Sequence, residues 1–552
     1  MKSSRFPATR TFKIWAAVAV ALGTASMAQA ATLDIATASI ADLEKAYGSG
    51  GLTSEKVVAA YLKRIAAYDK KGPTINAVIT LNPKALATAK ALDAERKKGK
   101  VRGPLHGIPV VLKDNYDTVD LPTTGGSQLL EGSLPPDDAY IVRRLHEAGA
   151  IVLAKVNMSE WAGGAGIYGT TDPELAKKGT VPNGFSSAGG QTRNPHDPTR
   201  GPAGSSGGTG AAVAATFAQF GMGTDTGGSV RGPSSVNGLA GLKPTNGLLS
   251  RDGIIPLSLT FDTGGPMARS VADLAVVLGT MTGVDPADAL TQTSAGKFDT
   301  DYTKFLKTGA LKGARIGVAR DFMGRNAETD RITEEAIATL KKLGAEVVDV
   351  RYPQYLLDVR QPLLNTIMNA DFKAQIADYL QTTGPRYPKT YADIVARSND
   401  PQTGYRSPEK AWGLKYNATI AIDQTDPVYQ AAKNDGLPLI KSTMMAVFAR
   451  DRLDAIVYPT SPEPATLIVP AAGPRPTGGG GSATLIANET GFPDLIVPSG
   501  MTNDGLPVSL SFFGPAFSEA KLLGYGYDFE QATKAQVLPK FTPALPSDKL
   551  TY

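Results

Sequence analysis

Two glycine-rich turns that carry serine lie close together in the chain: Gly204-Ser205-Ser206-Gly207-Gly208 and Asp225-Thr226-Gly227-Gly228-Ser229-Val230-Arg231. Glycine admits φ > 0 and lets main-chain N–H groups approach a ligand, so both turns offer a hydroxyl and bare amides to a cleft. The alanine-rich stretch 209–218 between them reads as a helix. A serine hydroxyl is a nucleophile only when a base takes its proton. The chain holds three histidines, His106, His146 and His196, and none follows the serines. The G-x-S-x-G match at 204–208 would make Ser206 the nucleophile of an α/β-hydrolase elbow. That fold places its histidine after the serine, so a Ser-His-Asp mechanism of that plan is excluded.

Lysine is the remaining common base, because burial lowers its pKa by up to several units and frees a neutral amine near pH 7. Lys113 ends the apolar run 108–112 and precedes Asp114-Asn115. It therefore belongs where a buried strand meets its C-terminal loop, the place where α/β sheets collect their sites. Three other matches carry no chemistry. Ser294-Ala295-Gly296-Lys297 and Lys307-Thr308-Gly309 are too close in sequence for the separate elements of a penicillin-recognising enzyme. The G-x-G-x-x-G at 164–169 does not sit directly at a strand end and lacks the later acidic residue of a dinucleotide site.

The elements that must position these residues alternate. Ser39 and Thr53 open helices with a cap residue and an early acid, 75–80 and 108–113 read as strands, 141–145 as helix and 151–156 as a buried strand. A further strand–helix–strand unit runs from 314 to 350, residues 353–450 read as mostly helical, and 454–459 and 494–498 return to the sheet, with a flexible glycine loop at 478–481 between them. The expected fold is α/β: one large domain with a sheet covered by helices.

Composition bounds the rest. The chain has 552 residues, 42% hydrophobic and 20% charged, and no cysteine, so thiol catalysis, disulfides and Cys-metal sites are excluded. Residues 1–30 read as an export signal: Lys2, Arg5, Arg10 and Lys13 precede the apolar run 14–22, and Ala28-Gln29-Ala30 supplies a cleavage site. Without those four of the 57 basic residues, 53 face 52 acidic ones, so neither nucleic acid nor membrane is expected as a partner of the mature chain. The mature domain is then 31–552, periplasmic or secreted.

With these residues in view, the chain resembles the amidase signature family. The resemblance rests on Gly107-Ile108-Pro109-Val110-Val111-Leu112-Lys113-Asp114, on the two serine turns, and on Lys155-Val156-Asn157-Met158-Ser159-Glu160-Trp161-Ala162, Gly241-Leu242-Lys243-Pro244-Thr245 and Gly491-Phe492-Pro493. It covers most of 35–350 and 450–532 and leaves 353–450 unmatched. It implies a central mixed β-sheet covered by helices on both faces, and a Ser-cisSer-Lys triad: Ser229 as nucleophile, Ser205 behind a cis peptide bond as relay, and Lys113 as base. The N–H groups of Thr226, Gly227, Gly228 and Ser229 would form the oxyanion hole, with Asp225, Arg231 and Ser206 in support. The expected activity is hydrolysis of a small carboxamide to acid and ammonia or amine through an acyl-serine, with no metal or cofactor and with a homodimer allowed. An esterase or carbamate hydrolase on the same triad, and an inactive envelope binding protein, stay open. The 353–450 insertion and the loops around Gly125, Gly126, Ser127, Trp161, Ile167 and Tyr168 are the expected substrate pocket.

Overall fold

The computed structural model describes residues 31–164, 181–468 and 483–552. In chain order the strands are β1 (Thr32–Asp34), β2 (Val78–Leu81), β3 (Pro109–Lys113), β4 (Ile151–Val156), β5 (Phe185–Ser186), β6 (Gly190–Gln191), β7 (Phe220–Asp225), β8 (Ala240–Lys243), β9 (Thr263–Ala268), β10 (Arg315–Ala319), β11 (Glu346–Val350), β12 (Ala455–Pro459), β13 (Asp494–Met501), β14 (Pro507–Phe513) and β15 (Lys549–Thr551). Eleven of them form one sheet in the order β11-β10-β12-β14-β13-β8-β9-β7-β3-β4-β2. The sheet is mixed: β7, β3 and β4 are parallel, as are β11, β10 and β12, while the strands between pair antiparallel.

Strands β3, β4, β7, β8, β9 and β12 are buried along their whole length. The apolar runs of β3, β4 and β12 follow from helices packed on the sheet, since a strand covered on both faces has no reason to alternate. The expected α/β fold with a mixed central sheet is the fold observed. Ser39 and Thr53 cap helices Ile40–Gly48 and Ser54–Tyr68 as the sequence predicts.

Two elements depart from expectation. The strand expected over 75–80 begins only at Val78, because Thr74 and Asn76 adopt left-handed backbone, both at φ 54°. The helix expected over 209–218 runs Gly207–Ala214 and stops ahead of Thr216, at φ 59°. Gly208 lies inside this helix rather than in an open turn: its N–H reaches Asn157 O at 3.0 Å, and a Cβ there would stand 2.2 Å from that oxygen. Its glycine serves close packing against the end of β4.

The 353–450 stretch is helical, as expected, with Gln354–Leu380 and Leu437–Asp451 its longest elements. It is not a separate lobe. Leu364, Ile367, Met368 and Phe372 of Gln354–Leu380 share one apolar cluster with Trp161, Leu257, Phe261 and Leu485. The loop expected at 478–481 and the export signal at 1–30 lie outside the described residues. Among the described residues no helix is long and apolar enough to cross a membrane.

Candidate active site

Lys113 is the last residue of β3, and β3 runs parallel to β7, whose end carries Thr224 and Asp225. The lysine is fully buried. Its Nζ donates to Ser205 Oγ at 2.8 Å and to Thr224 Oγ1 at 2.7 Å, with Thr224 O at 3.4 Å. No carboxylate pairs with it directly among the described residues. Burial is the largest influence on the amine and pushes it down to about 7, against a smaller upward pull from Asp262 and Asp225.

The peptide bond Gly204–Ser205 is cis, as the family resemblance implies. Ser205 and Ser206 are buried, and their turn is stitched to its neighbours on three sides. Ser159 N–H donates to Ser205 O at 2.9 Å, Ser206 N–H to Ser229 O at 3.1 Å, and Ser206 Oγ to Thr224 O at 3.1 Å. The Ser206 bond to Ser229 sets the two serine turns side by side. Ser229 itself is only partly covered, at the start of helix Arg231–Val236.

The second turn is built around a buried charge cluster. Asp225 accepts from Gly228 N at 2.8 Å, Val230 N at 2.9 Å and Asn488 Nδ2 at 2.9 Å, and from Arg231 Nε and Nη2 at 3.1 and 2.9 Å. Arg231 in turn donates to Asp494 Oδ2 at 2.9 Å and to Thr484 O at 2.7 Å. Burial alone would raise the Asp225 carboxyl, but the guanidinium and these donors outweigh it and hold the group well below the usual carboxylate range. Asp225 and Arg231 are thus hydrogen-bonded to each other and, through Asp225, to the backbone of this turn.

One expected oxyanion donor needs correction. The Gly228 N–H is committed to Asp225, so it shapes the turn, and Thr226, Gly227 and Ser229 are left as candidate donors. Gly228 is nevertheless required as glycine: its φ is +117°, and a Cβ would meet Thr484 Oγ1 at 2.6 Å.

The expected pocket residues also divide. Gly125 packs on the Trp161 ring, where a Cβ would lie 3.2 Å from Cε3. Gly126 is packed beneath Ser186 and Met158, and Ser127 is fully buried, its Oγ capping Leu129 N at 3.3 Å. Gly126 and Ser127 are therefore supports rather than walls. Trp161 is buried, 6.5 Å from Phe372 between ring centroids. Ile167 and Tyr168 lie outside the described residues. Next to the Ser229 turn the sequence reading missed Leu485 and Leu364, which stand 3.5 and 3.8 Å from a Cβ built on Gly227. It also missed Thr224, Asp262, Asn488 and Asp494. For Thr224 a signal existed, since strand alternation puts it on the face of Thr226; the others come from distant segments that no local spacing connects.

His106 and His196 are buried and structural: His106 Nε2 lies 2.9 Å from Leu92 O, and His196 Nε2 3.2 Å from Asn237 O. A surface groove of about 300 Å³ beside His146 contains none of the candidate residues; Lys84 pairs with Asp120 inside it, and Arg102 at its wall pairs with Glu95.

Comparison with known proteins agrees with this arrangement. The amidase family model matches residues 56–523. The solved peptide amidase from Stenotrophomonas maltophilia is 40% identical, with a TM-score of 0.82 over 92% of this chain and 99% of that one. A glutamyl-tRNA(Gln) amidotransferase subunit from Thermoanaerobacter pseudethanolicus is 35% identical over 92% of this chain and 99% of its own length. A probable amidase of Arabidopsis thaliana is 32% identical over 95% and 96%. The chain belongs to the amidase family, whose members hydrolyse C–N bonds.

Proposed function

We propose that the protein is an exported amidase that converts a small carboxamide to a carboxylic acid and ammonia or amine through an acyl-Ser229 intermediate. The observation that carries this is the fully buried Lys113, 2.8 Å from Ser205 Oγ, beneath the turn that presents Ser229. Neutral Lys113 takes the Ser205 proton as Ser205 takes that of Ser229, and Ser229 Oγ attacks the amide carbon. The N–H groups of Thr226, Gly227 and Ser229 receive the developing oxyanion, each such donor contributing roughly 3–4 kcal/mol. The tetrahedral intermediate collapses, the C–N bond breaks, and the proton returns from Lys113 through Ser205 to the leaving nitrogen. Water then attacks the acyl-serine over the same relay and releases the acid.

For the substrate we favour a peptide amide, supported by the 40% identity to the peptide amidase over nearly all of both chains and by the apolar Leu364 and Leu485 beside Gly227. The amidotransferase role named for other relatives needs charged tRNA, which a protein carrying the basic, apolar and Ala28-Gln29-Ala30 pattern of an export signal does not meet. A panel of peptide amides, aliphatic amides, anilides and esters on purified mature protein tests the reading. Release of ammonia from peptide amides, lost in Ser229→Ala, is expected; turnover confined to esters, or none at all, overturns it.

A further inference from the structure

β7 and β9 pair antiparallel with Asp225 opposite Thr263 and Thr224 opposite Gly264, so at the end of the ladder Thr226 lies across from Asp262. Side chains alternate along a strand, which puts Thr224 and Thr226 on one face and Asp225 on the other. Thr224 Oγ1 accepts from Lys113, and that identifies the face as the lysine's. On the same face Thr226 Oγ1 donates to Asp262 Oδ1, while Asp262 Oδ2 accepts Leu257 N–H at 2.8 Å and Ser258 N–H at 2.9 Å. Asp262 is buried, and all three of these donors are neutral.

We propose that Asp262 is a positioning residue for this site: it holds Thr226 of the oxyanion turn and presents to Lys113 a negative charge that no adjacent cation cancels. The proposal rests on the reading of Lys113 as base. Asp225 and Asp262 are the two carboxylates whose charge acts on Lys113. Asp225 carries Arg231 against both its oxygens. Asp114, the next residue after the lysine, pairs with Lys155 at 3.2 Å. Arg251, the cation whose field reaches Asp262, is held by Asp288 at 2.7 Å. Burial raises the Asp262 carboxyl to about 6, so it is ionised at the pH where Lys113 must give up its proton. A negative neighbour strengthens the lysine as a base and keeps its titration from falling below neutrality.

The test is the pH dependence of kcat/KM on an amide that the wild type hydrolyses, compared with Asp262→Asn, Asp262→Glu and Thr226→Val. Asp262→Asn keeps the shape and removes the charge, so the acid limb should move to lower pH by roughly half a unit or more. Asp262→Glu, which restores the charge, should bring the limb back towards the wild-type position. Thr226→Val keeps the charge but removes the held hydroxyl, and should lower kcat about tenfold or more with little change in KM. A folded Asp262→Asn variant with an unmoved limb overturns the proposal. If that variant does not fold, an unchanged kcat in Thr226→Val overturns it. A wild type that neither turns over nor reacts with a fluorophosphonate sinks the reading of Ser229 and Lys113 itself, an outcome distinct from an active enzyme whose limb does not move.

Discussion

At the residue scale the chemistry turns on where one proton sits. A lysine amine in water holds its proton at neutral pH, but Lys113, buried among neutral hydroxyl and carbonyl groups, is drawn down to about 7. The sign of the pH dependence follows: the base is neutral above that value and protonated below it. Activity should therefore rise as pH passes through about 7 and hold into the alkaline range, as a profile of kcat/KM will record. An optimum near about pH 5 would contradict a lysine base. Ser229→Ala should lower kcat by roughly 10⁴-fold or more, Lys113→Ala nearly as much, and the double variant little more than either, because the groups act as a unit. Single-turnover assays on folded variants check this, and normal turnover in Ser229→Ala would remove the assignment.

At the scale of elements, the two serine turns are held by segments far away in the chain. Arg231 binds Asp225 within its own turn and Asp494 at the start of β13, and all three are fully buried. Arg231→Met would leave two buried carboxylates without their cation, at a cost of about 3–5 kcal/mol. Chemical denaturation should show that loss; a variant as stable as the wild type would mean the cluster braces nothing. The helical insertion has its own anchor. Asp371, fully buried, accepts Ser258 and Thr260 hydroxyls, each at 2.6 Å, and Gln424 Nε2 and Tyr429 Oη, each at 2.7 Å. It joins the loop that carries Asp262 to the helices of 353–450. Asp371→Leu orphans four donors and should cost about 3 kcal/mol or more, with KM for peptide amides rising more than kcat falls. Equal effects on both constants would show that the insertion does not shape the pocket.

At the scale of the whole molecule, the first described residue is already engaged with the last. Ala31 N–H donates to Tyr552 O and Tyr552 N–H to Ala31 O, each at 2.9 Å, ahead of the β1 and β15 pairing. Cleavage after Ala30 would keep that strand intact. The mature enzyme should begin at Ala31 and be found outside the cytoplasm, as intact-mass measurement on fractionated cells will decide; a mass that retains residues 1–30 would refute export by cleavage.

What could be read from sequence alone was whatever depends on neighbours along the chain. Apolar runs marked β3, β4 and β12, Ser39 and Thr53 marked helix starts, and Lys113 at the end of its run marked a buried strand end, because burial and strand ends follow from local pattern. The serine turns were legible as chemistry, and the family resemblance supplied their roles. Tertiary structure decided what depends on meetings across the fold. It gave the Gly228 N–H to Asp225, turned Gly208 from an open loop into a packing contact, and set Ser127 to capping a short helix. It also brought Asn488 and Asp494 to Arg231, and Asp262 to Thr226. A residue's type and immediate neighbours state which hydrogen bonds it can make, but only the packing of distant strands and helices determines which partner arrives to make them.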